Sequence, residues 1–232
     1  MSAFKKIALA SLLVANMGLA NAALVASGSV GGAPTGTNKW NMDDALPGGL
    51  TYSVIAGGEI VSGALSGQYA APFLSGGNGA GFGLGGGDQA DGADTTMYGT
   101  SGSTGAAGTP NASFTLNFGS LQKYFGLLWG SVDAYNTLTF FNGAANVGSL
   151  TGANVTASPN GNQGVNGTLY VNINSTLDFD RVVFTSSQYA FEFDNIAWSV
   201  SRQDVPEPGS LALLGLGLAG LAAASRRKQK QA

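Results

Sequence analysis

The second half of the chain admits one backbone period. From residue 113 onward apolar and polar residues alternate: Phe114, Leu116 and Phe118 in residues 113–118, Leu169, Val171 and Ile173 in residues 168–174, and Tyr189, Phe191 and Phe193 in residues 189–200. Side chains two apart point the same way along a strand, so each set predicts a strand with one buried face. Residues 122–129 (QKYFGLLW) are nearly continuous in apolar side chains, the pattern of a strand covered on both faces. Residues 137–141, 146–151 and 179–185 continue the series. Asn142-Gly143, Asn160-Gly161 and Asn166-Gly167 supply turn dipeptides that accept positive φ. No helical period is visible between the two ends of the chain. The prediction is an all-β domain over residues 23–201, an antiparallel β-sandwich.

The first half is less legible. Residues 51–56 and 59–65 read as two strands of a hairpin joined at Gly57-Gly58, and residues 68–73 as an edge piece, because Pro72 lacks an N–H for the ladder. Trp40 reads as a core aromatic on a short first strand. Residues 75–110 are Gly-rich and then acidic (Asp88, Asp91, Asp94), which predicts a long flexible loop. Gly81-x-Gly83-x-x-Gly86 matches a dinucleotide fingerprint in form only, since no apolar strand precedes it and no helical pattern follows. The aspartates are spaced unlike an EF-hand, and a solvated acidic loop is the simpler reading than a calcium site.

The chain has no cysteine and no histidine. That excludes Ser-His-Asp and Cys-His nucleophilic sites and zinc held by His or Cys. Carboxylate chemistry and main-chain or amide binding remain. Six of the ten cations lie in the chain ends; residues 23–201 hold three cations against eleven acids, a net charge of −8. Such a body repels nucleic acid and anionic surfaces and attracts cations.

Both ends carry targeting signals. Residues 1–22 have a basic start (Lys5, Lys6), an apolar stretch and a small-residue cleavage site, Ala20-Asn21-Ala22 before Ala23, as in a secretory signal peptide. Residues 202–232 contain Val205-Pro206-Glu207-Pro208 and then an apolar helix over 209–225 that carries Leu211, Leu213, Leu214, Leu216, Leu218 and Leu221. Arg226, Arg227, Lys228 and Lys230 follow it as a basic stop that stays cytoplasmic. The fourteen residues 211–224 have no polar side chain, yet a helix of that length reaches only ~21 Å, short of a ~30 Å hydrocarbon core. The length suits a temporary transmembrane helix.

This arrangement resembles the PEP-CTERM sorting signal of exosortase-dependent bacterial surface proteins. The resemblance implies export, transient anchoring in the inner membrane, and processing by exosortase near Pro206-Glu207-Pro208. It places the protein at the cell surface or in the extracellular matrix of a Gram-negative-type bacterium. In the body, Gly67-Gln68-Tyr69-Ala70-Ala71-Pro72, residues 124–133, Tyr135-Asn136-Thr137-Leu138 and Phe193-Asp194-Asn195-Ile196 are similar to segments of such surface proteins. These segments imply a jelly-roll body and no known activity.

Two groups of residues deserve weighing as sites. Asp133, Asn136, Asp194 and Asn195 could together hold calcium beside the terminal strand, although Asp133 also suits a turn cap. No other cofactor is implied. Glu192 and Asp194 share one strand face, and a carboxylate pair is the minimum for glycoside hydrolysis, but that face reads as solvent-exposed. The expected function is therefore structural or adhesive, in exopolysaccharide or biofilm, with no enzymatic activity. The alternative is a carbohydrate-binding module, possible with calcium. A glycoside hydrolase and an ice-binding protein stand further off, the latter because no flat Thr-x-Thr ladder is present. The expected partners are exosortase, the secretion machinery, the inner membrane transiently, and polysaccharide.

Overall fold

A computed structural model describes residues 23–29, 31–55, 57–102 and 112–204. The signal peptide with its cleavage residues Ala20 and Ala22, and the Pro-Glu-Pro, apolar and basic parts of the tail, lie outside the described residues. Among the described residues no helix is long and apolar enough to cross a membrane.

The strands are β1 (Leu24–Ser29), β2 (Asn38–Trp40), β3 (Leu50–Ile55), β4 (Gly58–Val61), β5 (Phe73–Leu74), β6 (Gly92–Ala93), β7 (Tyr98–Ser101), β8 (Ser113–Gly130), β9 (Asn136–Asn142), β10 (Ala145–Thr151), β11 (Leu169–Ser186) and β12 (Phe191–Ser199). The α-helical content of the described residues is one turn, α1 (Gly152–Val155). Every pairing between strands is antiparallel.

Two strands of eighteen residues, β8 and β11, organise the sheet. The local alternation predicts each as two separate strands. No turn dipeptide separates the parts, and the chain runs straight on, with a register shift between Asn174 and Phe179 where the ladder bends. The first part of β8 pairs with β3 and with the last part of β11, which in turn pairs with β9 and through it β10. The last part of β8 pairs with β12 and with the first part of β11, whose other neighbour is β1. Beyond β12 lie β2 and β7, and β4 pairs with β7. The hydrogen bonds thus join ten strands into one sheet, with β5 and β6 as a separate ribbon. The two independent sheets expected of a sandwich are one continuous sheet whose halves face each other.

Aromatic rings fill the space between the halves. Phe114 meets Phe193 at 5.1 Å between centroids, Phe184 stacks on Phe193 at 3.9 Å, Phe125 meets Phe140 at 5.9 Å and Phe118 meets Trp198 at 5.8 Å. Such rings bury large apolar areas and prefer offset or edge contacts. Trp40 joins this core, as its sequence context predicts.

The hairpin expected at Gly57-Gly58 does not form. β3 pairs with β8 and β4 with β7, so the two glycines mark a corner between different neighbours. A Cβ on Gly58 would strike the carbonyl of Ser113, which is why the close approach needs glycine here.

A second, smaller apolar cluster lies on the outer face of the sheet. Leu74 and Phe82 pack against Tyr124, Leu128, Tyr170 and Ala197. The segment expected as a flexible loop therefore packs over the sheet in its Gly-rich and acidic part, residues 75–97, and then enters the sheet as β7. Asn41 Nδ2 donates to Phe82 O at 2.6 Å, and the Lys39 ammonium sits 4.7 Å from the Phe82 ring centroid while donating to Ala80 O at 3.2 Å. Residues 103–110 of that segment lie outside the described residues.

Candidate cleft and buried carboxylates

β12 carries the polar residues of interest, and all nine of its residues are buried. Phe191 and Phe193 enter the aromatic core, as their alternation predicts. Glu192 and Asp194 point the other way, onto the outer face. Sequence reading gave that face to solvent; instead Glu192 is 2% exposed and Asp194 is fully buried. The physical reason is the cover: the run from Leu65 to Thr96 lies over this part of the sheet and is held by hydrogen bonds and by the outer apolar cluster.

Glu192 forms the floor of a cleft of about 410 Å³. One wall is the segment around Gln68 and Tyr69; the other brings Ser131, Asp133 and Tyr135, with Asn160 and Tyr189 at the rim. Both carboxyl oxygens of Glu192 accept hydrogen bonds: Oε1 from Ala70 N at 3.1 Å and Oε2 from Ser131 Oγ at 2.6 Å. Burial raises its pKa from the ordinary 4.5 to about 7, against the pull of those donors, and the Asp133 charge adds to the rise. Burial also pushes the Asp133 carboxyl up, while the Tyr135 hydroxyl facing it draws it partly back. Tyr135 donates to Tyr189 O at 3.0 Å, which fixes the ring across the cleft. Among the described residues no lysine or arginine lines the cleft.

Asp133 does not cap its turn through its carboxyl group. Its main-chain carbonyl takes the Asn136 N–H at 3.4 Å, and its side chain lines the cleft. Asn136 is structural: Nδ2 donates to Ala190 O at 3.2 Å and Oδ1 accepts from Ser186 Oγ at 2.7 Å. Asn195 turns toward the cover, with Nδ2 donating to Gln89 Oε1 at 2.6 Å. The four residues expected to share a calcium ion, Asp133, Asn136, Asp194 and Asn195, thus serve three separate neighbourhoods. Only Asp194 and Asn195 stay together. Among the described residues no three His, Cys, Asp or Glu side chains are grouped to hold a metal.

Asp194 instead meets Asp94 from the Gly-rich cover, a neighbour that sequence spacing did not suggest. The facing Asp94 carboxyl, after burial itself, helps push Asp194 well above the ordinary carboxylate range. Asp94 was legible only as the last member of an acidic run. Its burial at 2% sets it apart from Asp88 and Asp91, which are exposed. Ser131 gave no signal at all: it lies past the end of β8, and only the fold brings it to Glu192.

The fold and cleft define a β body with a polar, tyrosine-rimmed recess. Beyond that body, residues 204–228 match the family model described as the PEP-CTERM protein-sorting motif. The chain therefore carries the motif, which is the mark of an exported protein that transits the membrane and is sorted by exosortase. Neither the curated proteins nor the solved structures contain a match to the chain.

Proposed function

We propose that this protein is an adhesive or structural component of the extracellular polysaccharide or biofilm, and that its cleft takes a neutral sugar segment of that material. The observation that carries this reading is the composition of the cleft. Tyr69, Tyr135 and Tyr189 offer ring faces and hydroxyls; Gln68, Asn160 and Gln163 offer amides; among the described residues no cation lines it to hold an acidic group. Concave sites with aromatic surface and a few placed polar groups are the usual form of small-molecule sites, and sugar rings present both an apolar face and hydroxyls. A folded-over sheet of jelly-roll type supplies the rigid support. The role is binding without catalysis. In favour of this, both Glu192 oxygens are already engaged, by Ser131 and Ala70, so that carboxyl holds the cover in place. No calcium is needed at the cleft in this reading.

The test is binding of the purified protein to a panel of neutral and acidic polysaccharides. Saturable binding to a neutral glycan, weakened at least tenfold by Tyr69→Ala or Tyr189→Ala with an unchanged melting temperature, supports the reading. Equal binding by the wild-type protein and both variants, or release of reducing ends that Glu192→Gln abolishes, removes it.

A further inference from the structure

Four buried oxygen atoms lie where the cover meets β12 with no hydrogen-bond partner: Asp94 Oδ2, both carboxyl oxygens of Asp194, and Asn195 Oδ1. Their residues are 2%, 0% and 0% exposed, so water does not solvate them from outside. An unpaired buried carboxylate is costly, and two facing each other more so. Several polar groups around them are bonded to one another. Asp94 Oδ1 accepts from Thr96 N at 2.9 Å and Thr96 Oγ1 at 2.5 Å. Thr96 Oγ1 accepts from Gln89 Nε2 at 3.0 Å, and Gln89 Oε1 takes Asn195 Nδ2. This chain of contacts ties the Asp94 and Asn195 side chains into one frame and leaves oxygen atoms alone unserved.

Asn195 joins Asp194 for a backbone reason. The ladder between β12 and β8 shifts register between Asp194 and Ala197, and Asn195 adopts φ 51° there. A bulge of this kind turns two consecutive side chains to the same face, and asparagine accepts the left-handed conformation more readily than most residues.

We infer that Asp94, Asp194 and Asn195 form a calcium site that clamps the Gly-rich cover to the terminal strand. A shared proton is the competing way to relieve the two carboxyl groups. It pairs one oxygen of each and leaves the second Asp194 oxygen and Asn195 Oδ1 unserved; a cation serves all four. Carboxylate and amide oxygens in an irregular arrangement suit calcium, which tolerates variable geometry, better than magnesium, which demands an octahedron and keeps its water. Asp94 also borders a cavity of about 270 Å³ formed within the cover itself. The site is separate from the cleft floored by Glu192, so its test does not depend on sugar binding.

The experiment is calcium titration of the full-length protein, read by thermal melting and by terbium luminescence, with magnesium and a chelator as comparisons. Calcium at millimolar concentration raises the melting temperature over the chelated protein, and magnesium raises it less. Asp94→Asn and Asp194→Asn each weaken calcium binding at least tenfold. In chelator Asp194→Asn melts higher than wild type, because the unpaired charge is gone; this separates the site from simple damage to the fold. Asp91→Asn, in the same acidic run but exposed, leaves binding unchanged. A melting temperature that ignores both calcium and chelator, or a calcium response that survives both Asn variants, overturns the inference.

Discussion

Glu192 is the residue on which the cover rests. Its carboxyl is buried, neutral over much of the acid range, and bonded to Ser131 and Ala70. Its folded pKa of about 7 exceeds the ordinary 4.5, so the folded protein holds this proton more tightly than the unfolded chain does. The resulting stability is fully present below about pH 4.5 and is lost as pH rises through about 7. The difference across that window is on the order of 3 kcal/mol. Urea denaturation at a series of pH values therefore shows wild type weakening between those limits, and Glu192→Gln lacks that component. Asp94 and Asp194 illustrate what residue-level reading can reach. Each was visible as an acid in a suggestive place, but their meeting depends on the 99 residues of chain between them and on the path of the cover.

At the scale of elements, the outer apolar cluster explains why a Gly-rich segment packs down. Phe82 is its anchor, 2% exposed and 6.2 Å from the Tyr170 ring. Phe82→Ala is expected to cost about 3 kcal/mol, and hydrogen exchange is expected to rise in residues 74–97 while the aromatic core between the sheet halves stays protected. β7 carries a different constraint. Gly99 sits directly under the Phe193 ring, where a Cβ has no room. Gly99→Ala is expected to lower stability by about 1–3 kcal/mol through overpacking, measured by chemical denaturation, with the adjacent β4 first to lose exchange protection. The strands from residue 113 onward were legible because their alternation and turn dipeptides are local signals. The joining of four expected strands into β8 and β11 was not, because a bend without a turn residue leaves no mark in the sequence. The hairpin expected at Gly57-Gly58 gives way to a corner for a related reason: two glycines mark a close approach as readily as a tight turn.

The whole molecule combines a strongly acidic β body with a sorting motif at residues 204–228. The body's three cations and eleven acids predict that it is not retained on DNA or heparin at low salt, and that any acidic glycan binds better as salt screens the repulsion. Chromatography at two ionic strengths checks this. Processing has its own readout: the intact mass of protein recovered from the outer surface is expected to place the C-terminus near Glu207, whereas a mass that includes Ala232 contradicts cleavage. The sequence alone determined the antiparallel β character of residues 113–200, the aromatic core faces, the acidic balance and the sorting motif. These are properties of neighbouring residues or of composition, and they survive without knowledge of the fold. Only the tertiary structure decided that one sheet folds over on itself, that a Gly-rich cover buries β12, and that Glu192 meets Ser131 and Asp194 meets Asp94. Those contacts join residues far apart in the chain, and whether a polar side chain is dry or wet depends on what lies above it, which no local pattern records.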